Sequence, residues 1–343
     1  MIICITGPKY DDKTNLCSNG YNQNVIFFCK FMKKYFNDGE VFYVSDANFL
    51  NKHENIDIII QFSPLCKITM TTVKKKYPNC KNVFVKYGHE YYNDLSRLLP
   101  EEWRMRSPAP KAVCNGIDEV WISPHFKSTK FYYEALYNAK VRLLPFIWKP
   151  DNLRITPFTS NSFNCDKNIF IVEPNINMFK TSLIPILIVN ELYKLAPNSF
   201  NKLYIIANNN YDKNEYFKKE ILEKVNILHG HNKKAYFCPR ATFSEIFKKP
   251  GILLSHQENC GLNYIYLEAL YSRIPWVHNS PFFKETGYYY NNKNIPEGVK
   301  ALTKSLDEFK SIDNSRTIYK YDYDNPKNVK EYKNMINSLV TKN

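Results

Sequence analysis

Glycine is scarce in this chain, at 10 of 343 residues. Neither G-x-x-x-x-G-K-S/T, nor G-x-G-x-x-G, nor G-x-S-x-G occurs. A P-loop kinase, a common dinucleotide-dependent dehydrogenase and an α/β-hydrolase therefore lose their main support. No apolar run reaches the ~18 residues that a membrane-spanning helix needs. No signal peptide is expected, because the given sequence opens on a strand-like run, Ile2–Thr6. The nine cysteines are scattered, odd in number and lack any C-x-x-C. That pattern argues against a disulfide framework and for buried thiols in a reducing compartment. The expected setting is the cytoplasm. Arg-rich stripes and nucleic-acid modules are also missing. The net charge of +14 comes mainly from scattered lysines. We read them as a solvated surface, without specific nucleic-acid binding but compatible with peripheral contact to anionic membrane.

What is present is globular and aromatic. Hydrophobic residues make up 44%, with 26 Tyr and 23 Phe, and the length suits two domains. Abundant Asn, Lys, Ile and Tyr beside sparse Gly is the bias of an A/T-rich coding sequence. Strands are expected at Ile2–Thr6, Val41–Val44, Ile56–Gln61, Asn82–Tyr87, Glu119–Ile122 and Val141–Pro145. Helices are expected between them at Asn24–Tyr35, Ile68–Tyr77 and Ser128–Tyr137. The pattern restarts with strands at Ile169–Glu173, Leu203–Ala207, Val225–Leu228, Ile252–Ser255 and Trp276–His278. Strand–helix alternation implies parallel sheets. The expectation is an α/β chain of two Rossmann-like domains facing a cleft. The boundaries are 1–148, a linker 149–166, a second domain 167–324 and a C-terminal helix 325–343.

The segment Ile252–Ser280 is the most informative. It reads as a buried strand, a polar loop, a helix and a second strand. The helix sets Leu262, Ile265, Tyr266, Ala269 and Leu270 on one face and Asn263, Tyr264 and Glu268 on the other. Polar residues gather where a strand ends and a helix starts, the place where α/β sheets bind ligands and where free N–H groups suit a phosphate. His256 and Glu258 lie in that loop, and Glu268 suits a ribose diol. Lys180 opens the Thr181–Leu195 helix. His229 and His231 follow the expected strand Val225–Leu228 without a nearby third metal ligand, so no metal is expected there. Asp322-x-Asp324 reads as a surface turn.

In the first half, Gly20, Asn22, Gln23 and Asn24 form a loop before a helix, with Asn24 as its cap. His89 and Glu90 follow a strand; His suits proton transfer and Glu90 is a candidate base. His125 ends another strand. The bland alternatives are turn chemistry for the loop and structural roles for the histidines.

The 252–280 segment resembles the donor-sugar motif of GT-B glycosyltransferases. Glu268-Ala269 and Arg273-Ile274-Pro275 match its second half. The first Glu of the strict spacing is replaced by Cys260, with Glu258 two residues earlier. Lys180 matches a diphosphate-binding Lys, and Asn175 stands where an Arg is usual. Stretches 18–28, 86–95, 118–129, 141–150, 173–181, 255–271 and 277–290 also resemble a poorly characterised glycosyltransferase-like family of bacteria and large DNA viruses. In a virus the setting would be the host cytoplasm.

The resemblance implies a transferase taking a sugar from a nucleotide-diphosphate donor to a glycan, lipid or protein acceptor. It implies no cofactor and no metal, and leans towards retention. It makes His89, Glu90 and Glu258 the catalytic candidates. Donor binding falls to Asn175, Lys180, His229, His256, Asn263, Tyr264 and Glu268. The acceptor or cleft falls to Gly20, Asn22, Gln23, Asn24 and His125. It also implies a terminal helix crossing back to the N-terminal domain. A non-catalytic binding protein of the same fold and a sugar-nucleotide epimerase are the alternatives.

Overall fold

Short apolar runs such as Ile58-Ile59-Ile60 can be satisfied only by burial on both faces, and here they become the strands of two parallel sheets. The computed structural model describes residues 1–7, 20–45, 52–62, 70–100, 116–175, 178–206, 214–229 and 234–340. The chain divides into two units, 1–149 with 320–343, and 150–319.

In the first unit the strands are β1 (Ile2–Thr6), β2 (Glu40–Val44), β3 (Ile58–Gln61), β4 (Lys81–Lys86), β5 (Glu119–Ile122) and β6 (Lys140–Leu143). They pair in the order β2-β1-β3-β4-β5-β6, all parallel. The helix Gly20–Tyr35 leads from β1 towards β2 and buries Val25 to Phe28, Phe31 and Met32. It begins four residues before the expected Asn24. Asn24 is therefore not its cap, and its Nδ2 donates to the Gly20 carbonyl at 2.9 Å. Gln23 and Asn24 are buried with the apolar residues that follow them, so helix packing outweighs their turn preference.

The chain returns to this unit at its end. Trp148 N–H donates to the Tyr321 carbonyl at 2.7 Å, and Lys149 pairs with Asp322 and Asp324 at 2.7 and 3.2 Å. The helix Pro326–Val340 buries Tyr332, Met335, Ile336 and Leu339. Tyr332 packs on Phe28 and Phe31, and its hydroxyl donates to the Pro145 carbonyl at 2.8 Å. Among the described residues no helix is long and apolar enough to cross a membrane.

The second unit holds β7 (Ile169–Ile171), β8 (Leu203–Ile206), β9 (Ala235–Cys238), β10 (Ile252–Leu254), β11 (Trp276–His278) and β12 (Tyr288–Tyr289). Their order is β12-β11-β10-β7-β8-β9, again all parallel. The apolar helix Leu183–Leu195 and the helix Ile295–Glu308 bury Ile186, Ile188, Val189, Leu192, Leu302 and Leu306 in one core with these strands. Val225–Leu228, expected as a strand, is instead a turn of 3-10 helix at Asn226–Leu228, and β9 lies further on. Its Ile227 N–H is bound by the Asn190 side chain at 3.3 Å rather than by a neighbouring strand. Of the expected linker 149–166, residues 150–166 fall in this unit. Phe158 and Phe163 pack on its core, and Phe158 N–H donates to the Ser272 carbonyl. Those rings are apolar surface that a free linker would leave in water.

Candidate functional site

Parallel strands place all their carboxyl ends on one edge of the sheet. In the second unit the chain goes from β7 outward to β8 and β9, then returns to the other side of β7 as β10. The order therefore reverses between β7 and β10, where open α/β sheets bind ligands. The segments leaving that edge after β7, β10 and β11 carry the polar groups described next.

Glu173 follows β7 and is fully buried. Its Oε1 accepts from Ser255 Oγ at 2.5 Å and its Oε2 from Gln257 Nε2 at 3.2 Å. Burial pushes this carboxyl up to about 7, against Ser255, Lys180, the His256 backbone N–H and Gln257, which all favour its ionised form. Gln257 is held on every side. Its Oε1 accepts from Asn263 Nδ2 at 2.9 Å, and its backbone N–H and carbonyl bind the Asn279 amide at 3.0 and 3.1 Å. Asn263 is the N-cap of the helix Tyr264–Ser272 and accepts from Ile265 N–H at 3.4 Å. Loop and helix start are thus fastened together.

His256 is buried between two partners. Nδ1 lies 2.9 Å from the Tyr290 hydroxyl and Nε2 lies 2.8 Å from Glu258 Oε1. Burial holds its imidazole below the usual range, although Glu258 opposes this. A neutral ring must donate from Nε2 to the carboxylate, so Nδ1 accepts from Tyr290. Glu258 also meets Lys293 Nζ at 2.9 Å. Burial raises its carboxyl, but Lys293 and His256 outweigh it and leave Glu258 below the usual range.

Asn175 sits at φ +51°, in the left-handed region that Asn tolerates. Its Nδ2 donates to the Glu173 carbonyl at 3.0 Å and to Ser182 Oγ at 2.9 Å, and its Oδ1 accepts from Ser182 N–H at 2.7 Å. Its amide therefore closes the loop that ends in the helix Leu183–Leu195. Lys180 lies in that loop and is half-buried, with its charge felt by Glu173. Tyr264 and Glu268 are buried on the helix that follows Asn263. His229 is exposed at the end of the 3-10 turn, its Nε2 3.3 Å from the Glu223 carbonyl. His231 lies outside the described residues.

The remaining candidates are in the first unit. Gly20, Asn22, Gln23 and Asn24 form the first turn of its first helix. His89 is buried beside Tyr92 and Phe126, and immediately precedes the helix Glu90–Arg97. It lines a small cavity with Lys86, Tyr91, Phe126 and Tyr133. Glu90 Oε2 accepts from Gly88 N–H at 2.8 Å, and burial raises its carboxyl against Lys86. His125 Nδ1 meets Ser123 Oγ at 2.9 Å. The structure thus gathers His256, Glu258 and Asn263 into one network, and adds Glu173, Gln257, Asn279 and Tyr290 to it. Glu173 had a signal in the sequence, a carboxylate closing an apolar strand. Asn279 had none.

The model of a family described as "Protein of unknown function (DUF2827)" matches residues 3–336. No curated protein matches the sequence. Among solved structures, the OtsA apo structure is similar over 100% of this chain and 99% of its own, at 12% identity and a TM-score of 0.61. An E. coli structure described as "Trehalose-6-phosphate from E. coli bound with UDP-2-fluoro glucose" is similar over 99% of both chains, at 11% identity and a TM-score of 0.58. Sucrose-phosphate synthase from Thermosynechococcus elongatus is similar over 97% of this chain and 81% of its own, at 11% identity and a TM-score of 0.53. The chain spans 59% of the length of the matching chain in the GtfA/B complex, with 85% of this chain covered, 11% identity and a TM-score of 0.50. The fold is that of the GT-B glycosyltransferases.

Proposed function

The chain belongs to the DUF2827 family, and we propose that it is a glycosyltransferase that moves a sugar from a nucleotide-diphosphate donor to a glycan, lipid or protein acceptor. One observation carries the reading. A polar network fastens a helix start at the reversal between β7 and β10, with Lys180 in the loop after β7. The positive end of a helix dipole and a cation together suit a diphosphate. In this reading the second unit holds the donor. Lys180 and the start of the Tyr264–Ser272 helix bear the diphosphate, and Glu268 takes the ribose. Glu258, oriented by His256 and Lys293, faces the sugar. The first unit holds the acceptor, with His89 and Glu90 as the catalytic candidates and Gly20, Asn22, Gln23, Asn24 and His125 as the acceptor candidates. Fixed cations and helix dipoles stabilise the departing diphosphate without a metal. The motif match favours retention.

The test is calorimetry with UDP, GDP, ADP and CDP on the folded protein. At least one binds, and Lys180→Ala weakens it about tenfold, roughly the 1.5 kcal/mol of a charge-assisted hydrogen bond. No binding by any of them overturns the reading. Sugar transfer from the matching donor continues in EDTA. A non-catalytic binding protein is the second reading. It is favoured by the buried Cys260 at the strict Glu position and by the ties of Glu258 to His256 and Lys293. Nucleotide binding without turnover of any nucleotide sugar, with or without acceptors, would select it. Turnover without acceptor would select an epimerase.

A further inference from the structure

Glu173 is a buried carboxyl where an anion is expected, and its surroundings suit either protonation state. Its acceptor role is filled by Ser255 Oγ, Gln257 Nε2 and the His256 backbone N–H. Ser255 is a hydroxyl, so it can donate to the carboxylate or accept from the carboxylic acid. When it accepts, its own hydrogen can turn to the Tyr266 hydroxyl, 3.2 Å away. Gln257 keeps donating to Oε2 throughout. A proton on Oε1 therefore leaves the carboxyl hydrogen-bonded.

The other groups around Glu173 fix the direction of coupling. Lys180 is a cation whose charge favours its ionised form. The Tyr266 and Tyr290 hydroxyls also feel it, and burial keeps both neutral. His256 is neutral and turns its ring towards Tyr290 and Glu258. An incoming diphosphate brings like charge and shares Lys180 with Glu173.

Resting on the donor-site reading, we propose that Glu173 takes up one proton from solvent when a nucleotide diphosphate binds at the β7–β10 reversal, and releases it when the diphosphate leaves. The proton goes to Oε1, Ser255 reverses its hydrogen bond, and no other bond changes. The buried carboxyl, raised to about 7, is poised for this exchange. Glu173 acts as a positioning and charge-matching residue and does not touch the donor.

The experiment is calorimetry of the tightest-binding nucleotide among UDP, GDP, ADP and CDP at pH 8, in buffers of different ionisation enthalpy. At that pH the terminal phosphate, with its second ionisation near about 6, is already fully charged. Wild type is expected to take up about half a proton or more per nucleotide. Wild-type affinity is expected to fall between pH 7 and 9, and Glu173→Gln is expected to take up no proton and to lose that fall. An infrared difference spectrum of the wild type should also gain a protonated-carboxyl band on adding nucleotide, which keeps the proposal testable if the variant does not fold. Binding without proton uptake, equal uptake in Glu173→Gln, or no new band overturns the proposal while leaving the donor site standing. Failure of all four nucleotides to bind the wild type overturns the donor-site reading and the proposal together.

Discussion

Two buried titratable residues in the second unit oppose each other. His278 stacks on Trp276 with ring centroids 3.6 Å apart. It donates from Nε2 to the Thr286 carbonyl and accepts at Nδ1 from Ser280 N–H. Burial lowers it to about 4. A histidine depressed on folding contributes stability above its unfolded value near about 6.5 and loses it as pH falls towards 4. Glu173 is raised to about 7, so the folded state binds its proton more tightly than the unfolded chain does. Its contribution improves as pH falls from 7 towards about 4.5. Between pH 7 and 5 each changes by about 2 kcal/mol in opposite senses. Urea unfolding of Glu173→Gln should therefore show about 2 kcal/mol more loss than wild type over that interval. Parallel pH profiles for the two proteins would refute this balance.

At the scale of elements, the turn after the Tyr264–Ser272 helix is held by Arg273 at φ +60°. Its backbone N–H binds the Ala269 and Leu270 carbonyls and ends the helix in a left-handed residue. Glycine is usual there in the GT-B motif, and Arg273 keeps the conformation with a side chain present. We expect Arg273→Gly to be at least as stable as wild type. Arg273→Val should be less stable than Arg273→Gly by about 1–2 kcal/mol, the strain of a side chain in that region. Chemical denaturation of the three proteins checks the ranking. The neighbouring helix Leu183–Leu195 depends on a different closure, the Asn175 amide on Ser182. The Asn175 closure lies at the polar carboxyl edge of the sheet, whereas the Arg273 turn leads into the start of β11.

For the whole molecule, the first unit is assembled from the two ends of the chain. Tyr332, from the last helix, is fully buried against Phe28 and Phe31. Tyr332→Ala removes a large ring and its hydroxyl bond to Pro145. A loss of about 3–5 kcal/mol is expected, the usual range for a buried aromatic deleted to Ala. Urea unfolding followed by Trp121 and Trp148, which are buried in this unit, would report it. A change below about 1 kcal/mol would mean that the terminal helix is dispensable to the first unit.

The sequence by itself determined the alternation of strands and helices. Runs such as Ile58–Ile60 and Ile252–Leu254 need burial on both faces, and few arrangements other than a parallel sheet supply it. It also located the polar loop at 255–261, because a break in apolar periodicity between strand and helix is a local signal. Val225–Leu228 was not legible in this way. Its apolar residues read equally well as strand or turn, and the Asn190 side chain, 37 residues earlier, takes the amide that a strand would pair. Glu173 looked like the end of a strand. Its raised proton affinity comes from burial, which the hydrogen bonds from Ser255 and Gln257, 82 and 84 residues away, only partly offset. Desolvation and long-range hydrogen bonds exist only once the chain is folded. For that reason only the tertiary structure decided which carboxyl at this edge of the sheet has its proton affinity raised.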